Sequence, residues 1–383
     1  MSNDKLIALS LPNISGNEWK YVKDCLDTGW ISSVGAYVTQ FEQMVADFAG
    51  AKYGVAAVNG TAALHISLLL SGVKANDYVI LPNLTFVASA NSIRYIGADP
   101  LLVDADSDLW QMDLDLLETF LEDETDIRDG ELIYIKDGRR IGAIMPVHIL
   151  GNICDMDRFT SIVKKYPLPV VEDATEALGS SYKGQHAGTF SPFGCFSFNG
   201  NKIISTGGGG VIVTSDEELA RKAKHITTTA KASPDEYYHD EVGYNYRLVN
   251  ILAAVGVAQM EQLPGFIERK KEIVKFYKDA FGGVGDIGFQ QELPGVETNG
   301  WLFTIRTSRS EELLKHLDAN KILSRRFWMP MNKLPMYSGC PYITRNDEAG
   351  SIYNSCLSIP SSTNITDAEL EIVAREVKSV FNK

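Results

Sequence analysis

The chain has 383 residues, 45% hydrophobic and 22% charged, with a formal net charge of −13. That balance fits a globular protein of two domains, and the acidity without a long Lys/Arg run argues against nucleic acid as a partner. Five scattered cysteines without a C-x-x-C pair argue against a disulfide framework or a zinc site and fit a reducing cytoplasm. The N-terminus lacks the apolar core of a signal peptide. The most apolar helix-like stretch, residues 62–73, is too short for a bilayer and carries His65, so no membrane association is expected.

In chain order, residues 15–29 predict a helix, opened by a capping box of Ser15 and Glu18. Residues 54–59 read as a short buried strand that runs at once into a helix over 60–72. Apolar, β-branched runs follow at 78–82, 100–106, 141–148, 168–174, 194–198 and 210–214, with helical patterns between several of them. Such alternation predicts a mostly parallel sheet covered on both faces, with functional residues where strands end. Residues 123–144 read as a hairpin insertion with Asp137-Gly138 as its turn. After about residue 250 the alternation stops, which divides the chain into domains 1–250 and 251–383. A long helical region follows, with Pro264 expected to kink or break it. Then come a strand at 300–307 and a final helix with a capping box of Thr366 and Glu369.

Chemistry concentrates in "SFNGNKIISTGGGG", residues 197–210. A P-loop is excluded, because Asn201 precedes Lys202, Ile203 follows it, and the glycines lie on the wrong side. A dinucleotide fingerprint is excluded too, because the glycines lead into a strand rather than a helix. The remaining readings are an ordinary solvated lysine, which this stretch alone fits better, and a Schiff-base lysine among Ser197 and Asn199 as phosphate donors. Two further stretches favour the second. In "VVEDATEALGS", Asp173 ends an apolar strand, where a carboxylate can pair with a pyridine nitrogen or merely cap a helix. In "VNGTAALHISLLL", a strand meets a helix N-terminus whose free N–H groups, with the Thr61 hydroxyl, suit a phosphate. None of the six histidines has metal-ligand spacing, and no metal is expected. His148, in "PVHILG" at a strand end, reads as a structural histidine.

Together with "LPNLTFVASANSIRYIGADPLLVD" and "GYNYRL", these stretches resemble the DegT/DnrJ/EryC1/StrS family of pyridoxal-phosphate-dependent nucleotide-sugar aminotransferases over nearly the whole chain. The resemblance implies an α/β fold of aspartate-aminotransferase type (fold type I). That fold has a large domain around a mixed, mostly parallel seven-stranded sheet and a small C-terminal α/β domain. It also implies a homodimer with shared active sites. Lys202 would bind pyridoxal phosphate covalently and Asp173 would pair with its ring nitrogen. Gly60, Thr61, Ala62, Ser197 and Asn199 would hold the phosphate, and Phe86 would stack on the ring. Glu176 falls where relatives often have glutamine, near the cofactor's phenolic oxygen. Asn245 would reach the phosphate of the partner subunit's cofactor, and Arg247 the amino donor's carboxylate or the sugar nucleotide. L-glutamate is the implied donor.

Residues 324–339 and the hairpin are similar to the subgroup acting on UDP-linked 4-keto-6-deoxy-N-acetyl sugars, which feeds surface glycans. The expected acceptor is therefore such a sugar, with Trp30, Arg326 and Trp328 near it; GDP- and dTDP-keto sugars are the alternatives. Core packing is an equal reading of the two tryptophans. A pyridoxamine-dependent dehydratase of the same family would carry histidine in place of Lys202. A non-catalytic relative would have no need of the lysine, aspartate and serine together.

Overall fold

A computed structural model describes residues 5–233 and 235–381. The first half comprises helices α1 (Glu18–Thr28) and α2 (Ala36–Ala49), then β1 (Tyr53–Ala57), α3 (Gly60–Leu70), β2 (Tyr78–Pro82), α4 (Val87–Tyr95) and β3 (Asp99–Val103). Strands β4 (Ile141–Ile144), β5 (Val171–Asp173), β6 (Phe193–Ser197) and β7 (Gly210–Thr214) complete a sheet of order β1-β7-β6-β5-β4-β2-β3. Two parallel bridges, Ile144 to Val170 and Val147 to Asp173, join its β4 and β5 halves. Only β7 runs antiparallel to its neighbours, so the sheet is seven-stranded, mixed and mostly parallel, as the family resemblance implied.

Both faces of this sheet are covered, which is why β2, β4 and β7 are buried at every residue. Alternation along β1 sends Val55 and Ala57 into the layer under α3, while Ala56 packs with Phe41 and Val45 of α2.

A long helix, α5 (Asn250–Phe281), follows. Its first half packs on α1 and α2, and its second half inserts Ile273, Tyr277 and Phe281 into a separate core. That core lies beneath an antiparallel sheet built around β8 (Phe303–Arg306) and β9 (Cys356–Ile359), with Gly288–Phe289 and Arg325–Arg326 at its edges. Helix α6 (Asp367–Phe381) covers it. The C-terminal part also reaches back. Tyr342 and Ile343 pair in parallel with Leu102 and Val103 of β3. The Asp104 carboxylate, just beyond, accepts hydrogen bonds from Thr344 Oγ1, Glu348 N and Ala349 N. No helix among the described residues is long and apolar enough to cross a membrane.

Three local expectations change. The hairpin pairs Thr125–Arg128 with Glu131–Tyr134 and turns at Asp129-Gly130, both with positive φ (52° and 79°), the geometry of a two-residue type I′ turn. Asp137-Gly138 makes a later turn that bends the chain back, with Gly138 N donating to Tyr134 O at 2.9 Å. Ser15 does not cap α1. Its hydroxyl donates to Gln262 on α5, and Glu18 accepts from Gly16 N at 2.8 Å rather than from Ser15 N, so the expected box does not form. Pro264 neither ends nor splits α5, which runs through it. The capping box of Thr366 and Glu369 forms in both directions.

Candidate active site

Five loops leave the carboxyl ends of β1, β2, β4, β5 and β6 on the same side of the sheet, and the small sheet faces them. Between lies a cavity of about 870 Å³, the size of a cofactor-plus-substrate pocket. Its lining includes Gly60, Thr61, Phe86, Asp173, Glu176, Ser197, Asn199 and Lys202 from the large sheet, and Arg326 and Trp328 from the small one.

Lys202 sits at the centre, its side chain 11% exposed. Its Nζ lies 3.5 Å from Glu176 Oε1 and 3.9 Å from the centroid of the Trp301 ring. Burial holds this amine below the usual lysine range, with the charges of Glu176 and Asp173 opposing the shift. Burial also pushes the Glu176 carboxyl up to about 7, against the pull of Lys202. The other Glu176 oxygen accepts Leu150 N–H at 2.9 Å.

Asp173 ends β5 and is 2% exposed. Strand alternation turns Asp173 to the cavity and the preceding Glu172 away from it. Ser89 Oγ, in the first turns of α4, donates to Asp173 Oδ2 at 2.6 Å, and Thr175 N–H to Oδ1 at 3.2 Å. Glu172 instead meets His148 Nε2 at 3.0 Å and Gly188 N–H at 2.8 Å. His148 is thus tied into a buried pair behind the strand and does not line the cavity.

The helix α3 N-terminus opens beside Ser197. The Asn59 side chain caps it by accepting Ala62 N–H at 2.8 Å, so the Ala62 amide is occupied. The Gly60 and Thr61 N–H groups, with the hydroxyls of Thr61 and Ser197, have no partner among the described residues. Two glycines make this closeness possible. A Cβ on Gly60 would lie 2.9 Å from Ser197 Cβ. A Cβ on Gly210, the last of the glycine run, would lie 2.4 Å from Asn59 O. The glycine run therefore ends in a residue that lets β7 press against this turn.

Three expected residues are elsewhere. Arg247 is 8% exposed and donates to Glu42 Oε1 and Ala56 O, held by a carboxylate 205 positions away. It lines a second cavity with Trp30, at the start of α2. Asn245 is exposed and lines neither cavity. Sequence reasoning missed Trp301, which donates from Nε1 to Asn201 O at 2.6 Å while its ring covers Lys202. It also missed Ser89, whose only signal was its place three residues after Phe86, and Arg325, which lines the cavity beside Arg326.

These groups fit pyridoxal phosphate. There is a desolvated amine, a carboxylate 2% exposed at a strand end, and a set of unspent N–H and O–H donors at a helix N-terminus. The model of the DegT/DnrJ/EryC1/StrS aminotransferase family matches residues 12–378. The chain is 40% identical over 337 residues to GDP-perosamine synthase of Escherichia coli O157:H7, covering 87% of this chain and 88% of the relative. It is 36% identical over 394 residues to GDP-perosamine synthase of Caulobacter vibrioides, covering all of both chains. Among solved structures, the PLP form of Spr1654 from Streptococcus pneumoniae is similar with a TM-score of 0.89 at 26% identity over 99% of each chain. The chain belongs to the DegT/DnrJ/EryC1/StrS aminotransferase family and is a pyridoxal-phosphate-dependent sugar aminotransferase of fold type I.

Proposed function

We propose that the Lys202 cavity transfers an amino group from L-glutamate to the 4-keto carbon of a GDP-linked 6-deoxy sugar, in a homodimer. The observation that carries the reading is the meeting of Lys202, Asp173 and the open α3 N-terminus in one buried cavity. GDP replaces the UDP-linked N-acetyl sugar expected from the sequence, because the two relatives above are named for GDP-perosamine. Surface-glycan synthesis and the cytoplasm remain part of this reading.

Pyridoxal phosphate supplies the electron sink for the negative charge that develops on the donor's α-carbon. Asp173 would pair with its ring nitrogen, and the hydrogen bonds from Ser89 and Thr175 keep that carboxylate oriented. Gly60, Thr61, Ser197 and Asn199 would hold its phosphate, and Phe86 would cover the ring. Lys202, its amine pushed below the usual lysine range by burial, carries the proton at the α-carbon and later returns one at the sugar carbon, so one base serves both half-reactions. The Trp301 ring and the loops around it keep water from the amine. Arg325 and Arg326 are the cations available in the cavity to a diphosphate, beside Trp328. Asn245, Arg247 and Trp30 lie outside this cavity, so they reach an active site only across a dimer interface.

The test is a product screen by mass spectrometry with GDP-, UDP- and dTDP-keto sugars and glutamate. GDP-sugar amination that disappears in Lys202→Ala, together with its visible absorption, supports the reading. Amination of the UDP sugar alone refutes the nucleotide. An active, yellow Lys202→Ala protein refutes the site.

A further inference from the structure

The catalytic lysine has one carboxylate within ion-pair reach among the described residues, and it is not Asp173. Glu176 Oε1 stands 3.5 Å from Lys202 Nζ. Both side chains are withdrawn from solvent, 3% and 11% exposed. Asp173 is committed elsewhere, one oxygen to Ser89 and the other to Thr175. Glu176 has only one oxygen committed, to the Leu150 amide, and the free one points at the amine.

We propose that Glu176 is the proton partner of Lys202: its carboxylate takes the ammonium proton when the lysine must act as a neutral base, and gives it back when the lysine must act as an acid. The balance is simple. The Nζ–H bond breaks and the Oε1–H bond forms. An ammonium–carboxylate pair becomes an amine and a carboxylic acid, and no charge leaves the pair. The short Nζ–Oε1 separation carries the exchange, and desolvation brings the two proton affinities closer together by pushing the amine down and the carboxyl up. The groups facing the pair are few. Asp173 adds a negative charge from the same loop, Leu150 offers an N–H from the β4 side, and Trp301 offers a ring from the approach to β8. Glu172 and His148 are paired with each other behind β5. Arg325 and Arg326 line the far wall. A glutamine at 176 could accept the same Leu150 hydrogen bond but could not hold the proton. The inference rests on Lys202 being the cofactor lysine, and the experiment separates the two claims.

Holoenzymes of wild type, Glu176→Gln and Lys202→Ala are titrated with pH while the visible absorption of the lysine-bound cofactor is followed. Glu176→Gln lowers the midpoint by about one pH unit or more, a tenfold change in the proton affinity of the nitrogen. Its kcat falls, while KM for glutamate and for the nucleotide sugar stays at the wild-type value. Should Glu176→Gln fail to fold, Glu176→Asp takes its place: the arm shorter by one methylene draws the carboxylate away from the amine, and a lowered midpoint with a lower kcat again supports the role. A wild-type midpoint in either variant overturns the proposal. A visible band that persists in Lys202→Ala and bleaches with glutamate overturns the assignment of the lysine instead.

Discussion

Lys270 gives a sharp test of how burial governs charge in this fold. It sits in α5, 2% exposed, and donates to Trp301 O at 2.7 Å and to Ser361 O, with no carboxylate partner among the described residues. Burial alone drives its amine from the ordinary 10.5 down to about 7. The unfolded chain therefore binds a proton that the folded chain refuses, and stability rises with pH across the interval between those values. Below it both states are protonated, and the stabilisation from the neutral amine is gone. From about pH 7.5 to about pH 9 this one group adds about 2 kcal/mol, at ~1.36 kcal/mol per unit of pH. Lys270→Met removes that gain. It also strands two buried carbonyls at ~1–3 kcal/mol each, but that loss does not depend on pH. Urea unfolding of both proteins at the two pH values should show wild type gaining about 2 kcal/mol more than the variant. Parallel stabilities would mean that Lys270 keeps its proton when folded, and the burial argument would fail.

Other expectations concern the site and its supports. Gly60→Ala should leave the fold intact, because the clash is local, yet weaken cofactor retention about tenfold or more, as seen on dialysis against increasing pyridoxal phosphate. Glu42→Gln strips the buried Arg247 of its carboxylate and should cost about 3–5 kcal/mol in denaturant unfolding; an unchanged midpoint would show the pair to be unimportant. Thr366→Ala removes one side of a formed capping box and should cost about 1 kcal/mol, read as earlier exchange of the first amides of α6.

Where the sequence was legible, one local pattern decided the outcome. Strand-ending Asp173, the Asn-Gly-Thr helix start and Lys202 each carry their geometry within a few residues, and the cavity assembles them because β1, β5 and β6 end on one side. What stayed hidden depends on partners far along the chain. Arg247 looked available until its path to Glu42 was seen. Ser15 looked like a cap, but Gln262 of α5 competes for its hydroxyl. The hairpin offered two Asp-Gly pairs, and only strand register picks between them. Trp301 had no local signal, since its ring reaches Lys202 from the segment leading into β8, whose docking against the large sheet no local pattern reveals.

The pairing of Tyr342–Ile343 with β3 bears on how the molecule is made. The edge of the large sheet stays bare until Tyr342 and Ile343 have been made. A nascent chain that has finished its first seven strands still presents β3 as an open hydrogen-bonding rim, the kind that invites strands from other chains. A protein cut after residue 250 would keep that rim permanently, together with an Asp104 carboxylate stripped of the three donors that Thr344, Glu348 and Ala349 provide. Synthesis from N- to C-terminus thus leaves this edge of the sheet unsealed while the more than 200 residues between β3 and Tyr342 are made.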